Sequence, residues 1–302
     1  MAITSSTTVE AGQPRIDEKA CTVCGLCARN CPTETLQLRN GALVIDPETD
    51  FGCIACGQCM AVCPHQAVTV DGRGMKPDDL IALPAPDQRA TTSKLLALMQ
   101  SRRSVRRFKN REVEPEVVQR MLELASTAPM GIPPSDVRVL VFHGRDKVHT
   151  FAADMVEVLR GTQRAMTPLM LTLMRPMLGK AGIEAFKTFI IPLMNTIVRE
   201  WDKGRDVLLY DAPLAMLFYG SPYSDEADYH IVATYAMLAA QSLGLGTCMI
   251  GSVSPFLARN KKAKEKLELP KGSKLGLVLV AGYPAVEYHG ALKRHFAAVR
   301  YM

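Results

Sequence analysis

The sequence has little of what marks several common protein classes. Its 302 residues include one tryptophan and 6% aromatics, and no long run of Lys or Arg. The net charge of +6 is mild, and the basic patch "KKAKEK" at Lys261–Lys266 mixes signs as a solvated helix face does. No nucleic-acid partner is expected. The opening "MAITSSTTVE" has neither a basic n-region nor an apolar core, so no signal peptide is read and a reducing, cytoplasmic setting is expected. One uncharged stretch, Ile231 to Ala258, is long enough on paper to cross a bilayer. Gln241, Ser242, Gly244, Gly246, Gly251 and Pro255 interrupt it. It reads as a buried helix followed by a turn, with no membrane span. There is no G-x-x-x-x-G-K-[ST], and "GLGTCMIG" (Gly244–Gly251) follows a helix and fails the G-x-G-x-x-G spacing. The six histidines form no metal-ligand spacing.

Cysteine is abundant, and eight of the nine fall in two phrases: "CTVCGLCARNCP" from Cys21 and "CIACGQCMAVCP" from Cys53, 32 residues later. Both read C-x2-C-x2-C-x3-C-P. Three thiolates two residues apart let a turning backbone wrap one face of an iron–sulfur cube, and the fourth reaches the neighbouring cube. On that logic Cys21, Cys24, Cys27 and Cys63 hold one [4Fe–4S] cluster, and Cys53, Cys56, Cys59 and Cys31 hold another. Pro32 and Pro64 turn the chain away after each loop. Gly25 and Gly57 allow backbone to approach the cubane and leave amides for its sulfurs. The alternative is structural zinc, which favours paired C-x2-C knuckles and leaves the third cysteine and the duplication unexplained. Over roughly sixty residues the segment resembles bacterial two-cluster ferredoxins, which store and move single electrons.

Composition divides the rest. Residues 1–75 form the ferredoxin-like unit, with the strand-like "ALVID" between its halves. Residues 76–92, rich in Pro and Asp, read as a linker. Residues 93–302 form a larger mixed α+β domain. Its expected helices start near Ser93, span Glu114 to Ser126 with Val118, Met121, Leu122 and Ala125 in register, and run from Asp225 to Leu243. Its expected strands are Val137–Phe142, Leu214–Gly220 and Leu275–Tyr283. A helical insertion occupies about 144–206. Met166, Met170, Met174 and Met177 share one face of it, as adaptable core or as a lid or wall shaping an apolar substrate pocket.

"SRRSVRRF" (Ser101–Phe108) presents Arg102, Arg103, Ser104 and Arg106, which suit a phosphate monoester; on charge patterning alone they also suit a solvated helix end. After it come, in order, "STAPMGIPPSDVRVLVF", the turn "GLGTCMIGSV" and "GYPAVEYHGALKRH". That order, from about Ser93 to the C-terminus, resembles the nitroreductase family of FMN flavoproteins. The resemblance implies an α+β sheet-and-helix sandwich, an intertwined homodimer, and FMN at the subunit interface. It implies that Arg102, Arg103 and Ser104 hold the FMN phosphate and ribityl chain, with Lys293 and Arg294 closing over the phosphate. Backbone amides around Ile250 and Gly251 would face the flavin ring. The family's Asn and Gln positions appear here as Pro133 and Ser135, which lack an amide's paired donor and acceptor. Cys248 in the glycine turn is either a buried inert thiol or a reactive one. Tyr210, Tyr219 and Tyr223 are candidate polar handles.

The function expected is that of an iron–sulfur flavoprotein oxidoreductase. Its clusters exchange single electrons with a soluble protein partner, and its FMN reduces an electron-poor organic substrate such as a nitroaromatic, a quinone or an activated unsaturated compound. The same cofactors run in the oxidative direction, or a relay between proteins with no small substrate, are the alternatives.

Overall fold

The computed structural model describes residues 11–50, 52–131 and 136–302. The N-terminal unit runs β1 (Gln13–Ile16), α1 (Leu26–Arg29), β2 (Leu36–Arg39), β3 (Ala42–Ile45), α2 (Gln58–Val62) and β4 (Val68–Asp71). β2 and β3 form one antiparallel pair, and β1 and β4 form the other. The sequence duplication is also a backbone duplication. Val23 and Ala55, Gly25 and Gly57, and Glu34 and Gln66 are pairs 32 residues apart, and all six have positive φ. Gly25 and Gly57 cap α1 and α2 at φ 75° and 70°, where a Cβ would be strained. A small core of its own (Cys27, Leu36, Ala55, Cys59, Met60, Val68, Val70) closes the unit.

Residues 80–91 are exposed throughout, with one 3₁₀ turn at Pro86–Gln88. The larger part comprises α3 (Thr92–Ser101), α4 (Pro115–Ala125), β5 (Arg138–His143), α5 (Arg145–Ala165), α6 (Pro168–Ala185), α7 (Ile191–Asp202), β6 (Leu214–Gly220), α8 (Glu226–Ser242), β7 (Gly246–Ile250), α9 (Ser254–Arg259), α10 (Lys261–Lys266) and β8 (Lys274–Gly282). The sheet order is β5-β6-β8-β7, antiparallel throughout. Strand alternation sorts its side chains onto two faces. Ala215, Leu217, Val278 and Val280 enter a core with α5, α7 and α9, while Leu214, Met216, Phe218, Leu277 and Leu279 enter another with α4 and α8. The result is the expected α+β sandwich. Gly276 of β8 lets α8 lie close to the sheet: a Cβ there would stand 2.5 Å from Tyr229 Cβ.

Two readings change. "GTCMI", expected in a turn after a helix, is a sheet strand, β7, so the uncharged run Ile231–Ala258 is part helix and part sheet, and most of it is buried or half-buried. Among the described residues the one helix long and apolar enough to cross a membrane is Pro168–Asp202 instead. It is not a straight rod, since Gly179 leaves helical geometry at φ 65° and ψ −178° near Pro176, and a π-helical turn at Phe186–Ile190 joins α6 to α7.

Candidate functional site

The eight clustered cysteines surround two cavities. Cys21, Cys24, Cys27 and Cys63 line one, with Leu43 and His65 beside them. Cys31, Cys53, Cys56 and Cys59 line the other, with Pro14 and Leu36. Each quartet thus takes three cysteines from one phrase and the last from the other. The walls approach so closely that a Cβ on Gly12 would stand 2.9 Å from Cys53 Sγ. Amides face the sulfurs: Ala55 N–H donates to Cys53 Sγ at 3.4 Å, and Ala67 N–H donates to Cys63 Sγ at 3.3 Å. Burial, then the neighbouring Cys53 and Cys56, push the Cys59 thiol up to about 12. Burial also raises Cys31, but hydrogen bonds from Leu36 and Thr33 outweigh it and leave that thiol lowered. Crowded thiolates of this kind are stable only around a cation. Among the described residues no three His, Cys, Asp or Glu side chains converge closely enough to hold one metal ion. A cradle for a polynuclear group fits these walls better than a zinc knuckle does.

In the larger part, the segment after α3 runs along the outer edge of β7. Val105 N–H donates to Thr247 O at 2.8 Å, and Ser104 and Thr247 form a parallel bridge. Gly246 permits this approach, since a Cβ there would stand 2.5 Å from Val105 Cγ2. The C-terminal stretch joins from the other side. Arg103 donates to Gly290 O at 3.0 Å, Tyr288 Oη meets Ser104 O at 3.4 Å, and Ala285 N–H donates to Arg107 O at 2.9 Å. Arg102, Arg103 and Ser104 are half-buried in this seam, and Lys293 and Arg294 stand exposed three and four residues beyond Gly290. Ser135 and Pro133 lie outside the described residues.

Beyond Thr247 the edge of β7 is open. Because Thr247 O points outward, alternation turns the backbone groups of Met249 outward as well and those of Ile250 toward β8, with Gly251 just past the strand end. Sequence reading named the amides around Ile250 and Gly251 and did not single out Met249.

A cavity of about 680 Å³ opens against this edge. One side is Arg106, Cys248, Met249, Ile250 and Gly251; the opposite wall is Phe186, Phe189, Ile190, Leu193 and Ile197 from the insertion, with Tyr210 and Phe256 between. The insertion therefore walls the cavity, but not with its methionines. Met166 packs on the core, whereas Met170 and Met177 are exposed and none of the four lines the space. Tyr210 alone of the three candidate tyrosines lines it, with the Arg106 guanidinium 5.9 Å from its ring centre. Burial raises the Cys248 thiol against the lowering effect of the nearby Arg106 and Ser104.

The arrangement matches a known family. Residues 99–283 fit the Nitroreductase family, and residues 20–68 fit a 4Fe-4S dicluster domain. The chain belongs to the nitroreductase family. Like other nitroreductases, it is an oxidoreductase; it carries an iron–sulfur domain at its N-terminal side. A nitroreductase with bound FMN from Desulfitobacterium hafniense superposes with a TM-score of 0.50 at 22% identity, over 68% of this chain and 97% of that one. One from Bacteroides fragilis, also with bound FMN, gives a TM-score of 0.50 at 17% identity, over 70% and 99%. At these identities the likeness is one of fold. No curated protein sequence matches the chain.

Proposed function

We propose that this nitroreductase-family chain is an iron–sulfur flavoprotein reductase holding two [4Fe–4S] clusters and FMN. Bound, the clusters would supply one-electron transfer, and FMN would supply the coupling of single electrons to a two-electron reduction. The observation that carries the reading is the pair of crossed cysteine quartets on one chain with a nitroreductase fold.

Residues 1–75 form the electron-carrying unit and 93–302 the flavin unit, joined by a linker at 76–92. Arg102, Arg103 and Ser104 bind the FMN phosphate and ribityl chain, with Lys293 and Arg294 beside them from the C-terminal stretch. Arg106 supplies positive charge at the cavity edge. The outward amide of Met249 and that of Gly251 just past the strand donate toward the flavin ring, favouring its anionic reduced form. The apolar wall at 186–197 excludes water and accepts an electron-poor, largely apolar organic substrate: a nitroaromatic, a quinone or an activated unsaturated compound. So large an open apolar cavity beside the edge strand favours an enzyme over a relay between proteins.

A second copy of the chain completes the unit. Leu95, Leu96 and Met99 of α3, and Leu292 and Phe296 near the C-terminus, form apolar surface that a homodimer would bury. The electron partner is a soluble one-electron carrier, and the setting is cytoplasmic.

Stopped-flow reduction tests the route. With Cys24→Ser, a one-electron protein donor should reduce the flavin far more slowly than in the parent, while chemically reduced flavin still passes electrons to an acceptor. Equal flavin reduction rates in parent and variant would rule out the clusters as the way in.

A further inference from the structure

α6 is apolar on nearly every side, its charged residues being Arg175, Lys180 and Glu184. Helices of that kind are normally buried, yet Leu171 is the one buried residue of α6. Leu169, Leu173 and Met177, spaced four apart, form a single stripe and are 70%, 67% and 76% exposed. Single exposed apolar side chains are ordinary, but a continuous stripe marks a surface that meets something apolar.

The same helix carries charge of one dominant sign. Gly179 breaks it, and a cleft of about 650 Å³ opens between its two parts. Arg175 lines the cleft from one side, and Lys180 and Lys187 from the other, with Glu184 as its one acid. Among the described residues none of these three cations forms an ion pair. A second copy of the chain seated here about a two-fold axis would set the cations against themselves, which is repulsive. An anionic bilayer complements both features, with acyl chains for the stripe and phosphates for the cations. The part of α6 before Gly179 is about 16 Å long at 1.5 Å per residue, about half the hydrocarbon core, so it is too short to span and suits lying along the surface.

We infer that α6 docks the chain reversibly on an anionic membrane surface, with Leu169, Leu173 and Met177 among the acyl chains and Arg175, Lys180 and Lys187 at the phosphates. The docking face continues to the proposed substrate cavity, because Phe189 is 65% exposed and also lines that cavity. Docking would therefore hold the cavity at a surface where apolar acceptors concentrate. The docking itself requires no cofactor.

Co-sedimentation of the full chain, purified without oxygen, with sucrose-loaded vesicles tests this. At low salt the parent should pellet with vesicles containing phosphatidylglycerol, and far less with phosphatidylcholine alone. Leu173→Glu combined with Met177→Glu should weaken that partition by about tenfold or more, and so should Lys180→Gln combined with Lys187→Gln. All four positions are exposed, so thermal unfolding of both variants should match the parent. A parent that stays in the supernatant overturns the inference. Equal binding to both vesicle types overturns it, and so does a Glu variant that pellets like the parent, because the cations or the stripe would then be idle. A smaller assembly for the Glu variant in lipid-free light scattering also overturns it, since the face would then join copies of the chain. Iron and flavin counted in the same samples judge the cofactor reading separately.

Discussion

Arg103 donates to the carbonyl of its neighbour Arg102 and to that of Gly290, 187 residues away, which ties the start of the flavin unit to its end. A phosphate in that seam would gain a charge-assisted partner. Arg103→Ala should weaken FMN retention by about 1.5–3 kcal/mol, the scale of a hydrogen bond to a charged group, and Lys293→Ala by less. Equilibrium dialysis of parent and variants checks this, and full flavin in both variants would put the phosphate elsewhere. At this scale the grouping of the cysteines around two cavities was legible, because the repeated C-x2-C-x2-C-x3-C-P phrase marks both sets. Met249 was not. Whether an amide points inward or outward along β7 depends on Val105, more than a hundred residues away, and no local pattern records that.

Secondary structure was read well wherever local sequence suffices. Leu214–Gly220 is a strand with the expected bounds, and Asp225 caps α8 where the helix was expected to begin. β7 was missed because its five residues sit between glycines, which locally signal a turn. Its strand character comes from pairing with β8 on one side and Val105 on the other. Gly246→Ala tests that docking. With no room for a Cβ, the variant should lose about 1–3 kcal/mol of stability and release flavin along with the displaced segment. Gly161→Ala, in α5 with open space around it, should instead stabilise by about 0.5–1 kcal/mol in thermal unfolding. The insertion was legible as helix and as a candidate wall, but the residues that form the wall, Phe186, Phe189 and Leu193, lie outside the methionine stripe that the sequence pattern shows. Leu193→Trp should fill part of the cavity. Steady-state kinetics should then show a raised KM for a bulky aromatic acceptor, with flavin content unchanged.

At the scale of the whole molecule, composition suggests two units joined by a linker. The Pro- and Asp-rich stretch between them is exposed, and the N-terminal unit closes its own small core. A tether raises the effective concentration of a one-electron carrier near its acceptor, which gives a physical reason for placing both on one chain. What the sequence leaves open is the identity of the acceptor, because an apolar cavity selects by size and shape more than by a readable motif. The central claim is that this cavity and the cysteine quartets serve one electron path, and cofactor content tests it most directly. Protein purified without oxygen should carry about eight irons and eight acid-labile sulfides per chain, and release about one FMN and no FAD. Stoichiometric zinc with no broad visible absorption would contradict it.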